Sequence, residues 1–153
     1  MDKAEIDASE SLLRSCAKAE GQCLNLKNRL KKAASEIKQS CTKEQGQKKL
    51  LEAAKSLEKS VGKAASEVKA VLKINQKARE AMAMDEFKAK IGKMISAIRA
   101  ACDAAAKYDS AWKASQGAGW FANSYIMARA CQNYCEILED AGGHVKRDFG
   151  KLK

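Results

Sequence analysis

Apolar residues recur every three or four positions along nearly the whole chain, and no proline interrupts them in 153 residues. Between Glu5 and Ser40 the apolar or small positions are Ile6, Leu13, Cys16, Ala19, Cys23, Leu26, Leu30, Ala33 and Ile37. Their alternating spacing is that of a helix face packed against partners. Gly21 is the weak point in this stripe. A glycine inside a helix costs ~1 kcal/mol relative to alanine, which a long helix tolerates. It serves equally well as a turn that folds a second helix back. Periodicity slightly favours one continuous helix and leaves the turn open.

The later boundaries are marked by side-chain chemistry. Thr42-Lys43-Glu44-Gln45 matches a capping box, and Gly46 adds a break. A second stripe follows through Leu50, Ala54, Leu57, Val61, Ala64, Val68, Val71, Ala78 and Met82. At ~100° per residue Lys48, Lys55, Lys59, Lys63, Lys69, Lys73 and Lys77 fall on its opposite side, a lysine ridge ~45 Å long. Asp85 is placed to cap the next helix, with Glu86 in its first turn and Phe87, Ile91, Met94, Ile98, Ala101, Cys102, Ala105 and Trp112 on its buried face. "SQGAGW" (115–120) reads as a loop. A last helix is expected from near Trp120, burying Tyr125, Cys131, Tyr134, Cys135 and Leu138 until Gly142 and Gly143 stop or kink it. The tail "HVKRDFGKLK" is then a frayed end or a small amphipathic segment. Short connections make neighbouring helices antiparallel. The expected fold is all-α: an up-and-down antiparallel bundle of four helices if Gly21 is passed through and five if it turns, forming one domain over 1–153.

The formal charge of +10 is unevenly distributed. Residues 1–20 carry a net −2, residues 21–79 carry +10 and residues 80–153 carry +2. A localised basic surface calls for an anionic partner. Nucleic acid is disfavoured, because lysine dominates arginine and the aromatics, 5% of the chain, avoid the basic segment. No apolar run is long enough to span a bilayer, and "MDKAEIDASE" lacks the apolar region of a secretory signal. On these features the chain is expected to be cytoplasmic, and Cys16, Cys23, Cys41, Cys102, Cys131 and Cys135 are expected as reduced thiols, most of them acting as small hydrophobes on the apolar stripes. A thiolate cage for a soft metal is the rival reading, but no CxxC occurs and the single histidine, His144, lies apart. Phosphate-binding glycine loops, His-Glu-x-x-His and paired Glu-x-x-His motifs are absent. The expectation is a protein without catalytic activity, cofactor or metal.

"EGQCLNLKNRLKKAASEI", followed by "KKLLEAAKSLEKSVGKAASEVKAVLKINQKAREAMAMDEFKAKIGKMISAIRAACDAAA", resembles the N-terminal helical bundle of the mixed-lineage-kinase-domain-like proteins, grouped with HeLo and RPW8-type cell-death domains. Cys23, Leu26, Lys27, Arg29 and Leu30 stand where that pattern has a cysteine and a basic-leucine run, and "MDEFKAKI" (84–91) stands for its later Asp-x-Phe element. The likeness covers roughly residues 5–106, leaving 107–153 as an additional helix and short basic tail. It implies that Gly21 is a turn. It also implies a membrane-associated effector or adaptor that self-associates, engages anionic phospholipid and in some members permeabilises membranes. On this reading the lipid contacts are Lys27, Arg29, Lys31, Lys32, Lys48, Lys55, Lys59, Lys69, Lys73 and Lys77. "LLEAAKSLEKSVGKAASEV" (50–68) also looks like the rod helices of talin and vinculin. That likeness implies instead a scaffold binding partner helices or actin.

Overall fold

Five α-helices account for nearly all of the computed structural model, which describes residues 1–40, 44–117 and 124–152. They are α1 (Lys3–Ser40), α2 (Glu44–Leu72), the short α3 (Gln76–Ala81), α4 (Met84–Gly117) and α5 (Ser124–Gly150). Contacts run α1 to α2, α2 to α4, α4 to α5 and α5 back to α1, so the four long helices close a ring. Side-chain pairs fix the directions. Gln22 and Ser15 of α1 meet Asp140 and Asp148 of α5, so α5 runs antiparallel to α1. α2 starts four residues after α1 ends and still brings Gly62 under Lys27, so it folds back antiparallel as well. The fold is the expected all-α bundle.

Gly21 lies inside α1, and the turn implied by the resemblance does not form. The residue is exposed, while Cys16, Ala19, Cys23 and Leu26 around it are buried on one continuous face. Burial of a single leucine-sized side chain stabilises by about 1.5–3 kcal/mol, more than the ~1 kcal/mol glycine penalty. One position of the first stripe differs from expectation. Leu12 enters the core and Leu13 is only partly buried, because Leu12 stands four residues before Cys16 and so continues its line. Ser9 is buried as well, its hydroxyl donating to the Ile6 carbonyl at 2.6 Å.

The second stripe does not run through to Met82. α2 stops at Leu72, and Asn75 caps α3 by accepting from the Ala78 amide at 2.9 Å. Ala78 is consequently exposed, and Arg79 is the buried residue of α3. The proposed capping box at Thr42 and Lys43 lies outside the described residues, as does the end of the "SQGAGW" loop beyond Gly117. Gly142 and Gly143 do not stop the last helix, which continues to Gly150. A Cβ at Gly142 would stand 3.1 Å from Ile98 Cγ2, so this glycine serves the close approach of α4 and α5. The tail as far as Gly150 is therefore the end of α5, and Val145 within it and Leu152 just beyond it are buried in the core.

Candidate anion-binding face

α1 and α2 carry the basic residues because their apolar stripes turn inward, leaving the opposite faces to lysine. On α2, Lys48, Lys55, Lys59, Lys63 and Lys69 are all exposed. Lys27 of α1 reaches across the seam: its Cε and Nζ lie 3.8 and 3.9 Å from where a Gly62 Cβ would stand. Lys31, one turn further along α1, shares that flank. Lys63 lies toward α4, whereas Lys48, Lys55, Lys59 and Lys69 form with Lys27 and Lys31 one basic face that extends from the α1–α2 seam over the outer side of α2. Among the described residues, none of its lysines enters an ion pair, and the ordinary i,i+4 neutralisation of a helical surface is missing here.

Four of the ten expected contacts do not belong to this face. Ser15, Gln22 and Arg29 repeat at seven-residue spacing, and the first two touch Asp148 and Asp140, so Arg29 sits on the flank toward α5. Lys32 points outward between the two flanks. Lys73 lies in the turn after α2 and Lys77 is exposed on α3, both at the bundle end where the break at Asn75 places them.

Sequence reasoning missed the contribution of α4. Counting charge along the chain assigned residues 80–153 a small excess, yet the ring sets Lys90 and Lys93 directly beside α2. There, a surface groove of about 330 Å³ is lined by Lys59, Ser60, Lys63 and Glu67 of α2, and by Lys93, Ser96, Ala97 and Ala100 of α4. A second hollow of about 180 Å³ shares Glu67 and Lys93 and extends to Lys90, Ala70, Val71 and Ile74. Glu67 is half-buried and engages Lys93 at 3.8 Å. The signal available in the sequence was the i,i+3 pair Lys90 and Lys93 on the polar side of the third stripe.

The thiols are chemically quiet. Burial pushes Cys16 up to about 12 and Cys23 up to about 11, and it raises Cys102 and Cys135 as well. All four are therefore protonated at neutral pH, the reverse of an activated nucleophile or metal ligand. Cys16 packs its sulfur 3.8 Å from Met94 Sδ in the core. His144 pairs with Asp140 at 3.0 Å, and Asp140 in turn accepts from Gln22 at 2.9 Å, a structural bridge between α5 and α1. Among the described residues no cluster of three or more His, Cys, Asp or Glu side chains is arranged to hold a metal ion, and no helix is long and apolar enough to cross a membrane. Cys41 and the Cys131 side chain lie outside the described residues. Comparison of the chain with protein-family models, curated proteins and solved structures finds no match.

Proposed function

We propose that the protein is a non-enzymatic adaptor bundle that binds anionic phospholipid through the α1–α2 face and works peripherally at a cytoplasmic membrane surface. The observation that carries this reading is the set of exposed, unneutralised cations Lys31, Lys48, Lys55, Lys59 and Lys69, with Lys27 bridging the seam. Each lysine near an anionic leaflet contributes about 1 kcal/mol, so six give roughly 6 kcal/mol and an affinity of tens of micromolar. Such binding is reversible, and it weakens with salt because the screening length is only ~8 Å at physiological ionic strength.

Membrane permeabilisation would require a further step. The apolar stripes are sealed inside the ring, and Leu24, 45% exposed, is the one large hydrophobic side chain left outside among the described residues. Recruitment without leakage is the expected behaviour of this closed form. Co-sedimentation and dye release with phosphatidylcholine vesicles, with and without phosphatidylserine, test the proposal at low and physiological salt. Binding that needs phosphatidylserine and is lost in K55E/K59E/K69E supports it. Equal recovery with both vesicle types, or no recovery at low salt, refutes it.

A further inference from the structure

A flat bilayer has no means of filling the groove between α2 and α4. Its two hollows abut at Glu67 and Lys93 and together run from Lys59 of α2 to Ile74 just past its end, about 20 Å at ~1.5 Å per residue. Lysines stand on both walls: Lys59 and Lys63 on α2, and Lys90 and Lys93 on α4. The single acid in the lining, Glu67, is already engaged by Lys93. Between these walls the floor is small and mostly apolar, formed by Ala97 and Ala100 at one end and by Val71 and Ile74 at the other. Ser60 and Ser96 are the uncharged polar side chains that line it.

Two anionic occupants fit the charge, and the floor separates them. A phosphate group needs converging donors, and it would leave most of the methyl-lined floor unmatched. An acidic amphipathic helix matches both parts. Its small or aliphatic residues at i, i+3, i+4 and i+7 lie on the alanine and valine floor, while its carboxylates meet the lysines of either wall. The length agrees too, since ~20 Å accommodates about four helical turns. We propose that the α2–α4 groove is a docking site for an acidic amphipathic helix of a partner protein. The site adjoins the lipid-binding face and shares Lys59 with it, so its test rests on Lys63, Lys93 and Ala100, which that reading does not use.

Selection from a phage-displayed library of random peptides against the full chain tests this without presupposing a sequence. Enriched peptides should carry Asp or Glu around a helical stripe of small or aliphatic residues. A synthetic copy should perturb the backbone amide signals of Lys63, Ser96 and Ala100. It should bind at least about tenfold more weakly to K63Q/K93Q, the loss that follows from about 1.4 kcal/mol. A100L fills the groove from an exposed position without changing charge, and it should weaken the same peptide while melting as the parent does. Failure to enrich acidic helical peptides, or peptides indifferent to A100L, would overturn the assignment. So would phosphatidylserine vesicles that shift the groove amides and compete with the peptide, which would give the groove to phosphate chemistry instead.

Discussion

Arg79 of α3 donates from Nη2 to Glu10 of α1, joining segments separated by 69 residues of sequence, and from Nη1 to the Ile74 carbonyl at 2.9 Å. The two partners live in different surroundings, the arginine side chain being 5% exposed and the glutamate 46%. Arg79 Nε is buried with no hydrogen-bond partner. The pair pins the connection between α2 and α4 onto the start of α1, where the Met1 amino group also donates to the Met82 carbonyl at 2.6 Å.

This asymmetry sets the order of two substitutions. Glu10→Ala strands a buried cation, and loss of a charged partner from a buried group costs about 1–3 kcal/mol or more. Arg79→Met removes the buried charge, replaces it with an apolar chain of similar reach, and leaves Glu10 able to turn to water. Urea denaturation should show E10A to be the less stable variant. Equal losses would mean that packing of the arginine stem, not its charge, holds α3 in place.

The glycines of α1 and α5 separate by their surroundings. A Cβ at Gly21 or Gly143 meets nothing within 4 Å, whereas one at Gly142 meets Ile98 Cγ2 at 3.1 Å. Glycine to alanine in a helix stabilises by about 0.4–1 kcal/mol where the site is open. G21A and G143A should therefore raise the melting temperature. At Gly142 the same gain is opposed by overpacking, typically about 1–3 kcal/mol, so G142A should lower it. A lowered midpoint for G21A would argue against a continuous α1.

These glycines also mark the limit of what the chain disclosed before its structure. The helix faces were legible, since stripes such as Phe87, Ile91, Met94 and Ile98 follow directly from 3.6-residue periodicity. Boundaries were not, because a glycine is compatible with both a turn and a helix, and only packing decides. The stop at Leu72 was hidden for the opposite reason: Ile74, Ala78 and Met82 keep the helical spacing, and Asn75 was the one signal of a new cap. The basic face was legible on α2, where one helix carries the lysines, and less so between helices. Arg29 was separated from its neighbours by helix rotation, while Lys90 and Lys93 were added to the groove by the ring order of the helices.

The seam between α1 and α5 should make the bundle acid-sensitive. The buried Asp148 accepts from the Ser15 hydroxyl, which is the main reason its carboxyl is held below the usual range, and Arg147 and Lys151 act in the same direction. Asp140 is lowered too, first by the Gln22 amide. A carboxyl with a depressed folded-state pKa contributes stability above its unfolded value, ~3.9, and that contribution is lost as pH falls through the lower folded value. Stability measured by urea denaturation should therefore decline below about pH 4. Ser15→Ala should cost about 1.5–3 kcal/mol at neutral pH and flatten the acid slope. An unchanged slope in S15A would remove Asp148 from this role.

The two flanks of α1 give a direct test of which surface meets lipid. Lys31 lies beside α2 with Lys27, whereas Arg29 lies on the flank toward α5 with Gln22. Both are exposed, and K31E and R29E change the net charge equally. A binding mode governed by net charge alone weakens to the same extent in both. A mode that uses the α1–α2 face loses about 1 kcal/mol or more in K31E, roughly fivefold or greater in vesicle affinity, because a cation at the surface is replaced by a repelled anion. R29E, turned away from the leaflet, should lose much less. Partition constants on phosphatidylserine-containing vesicles at physiological salt give the comparison, and equal losses would replace the oriented face with diffuse attraction.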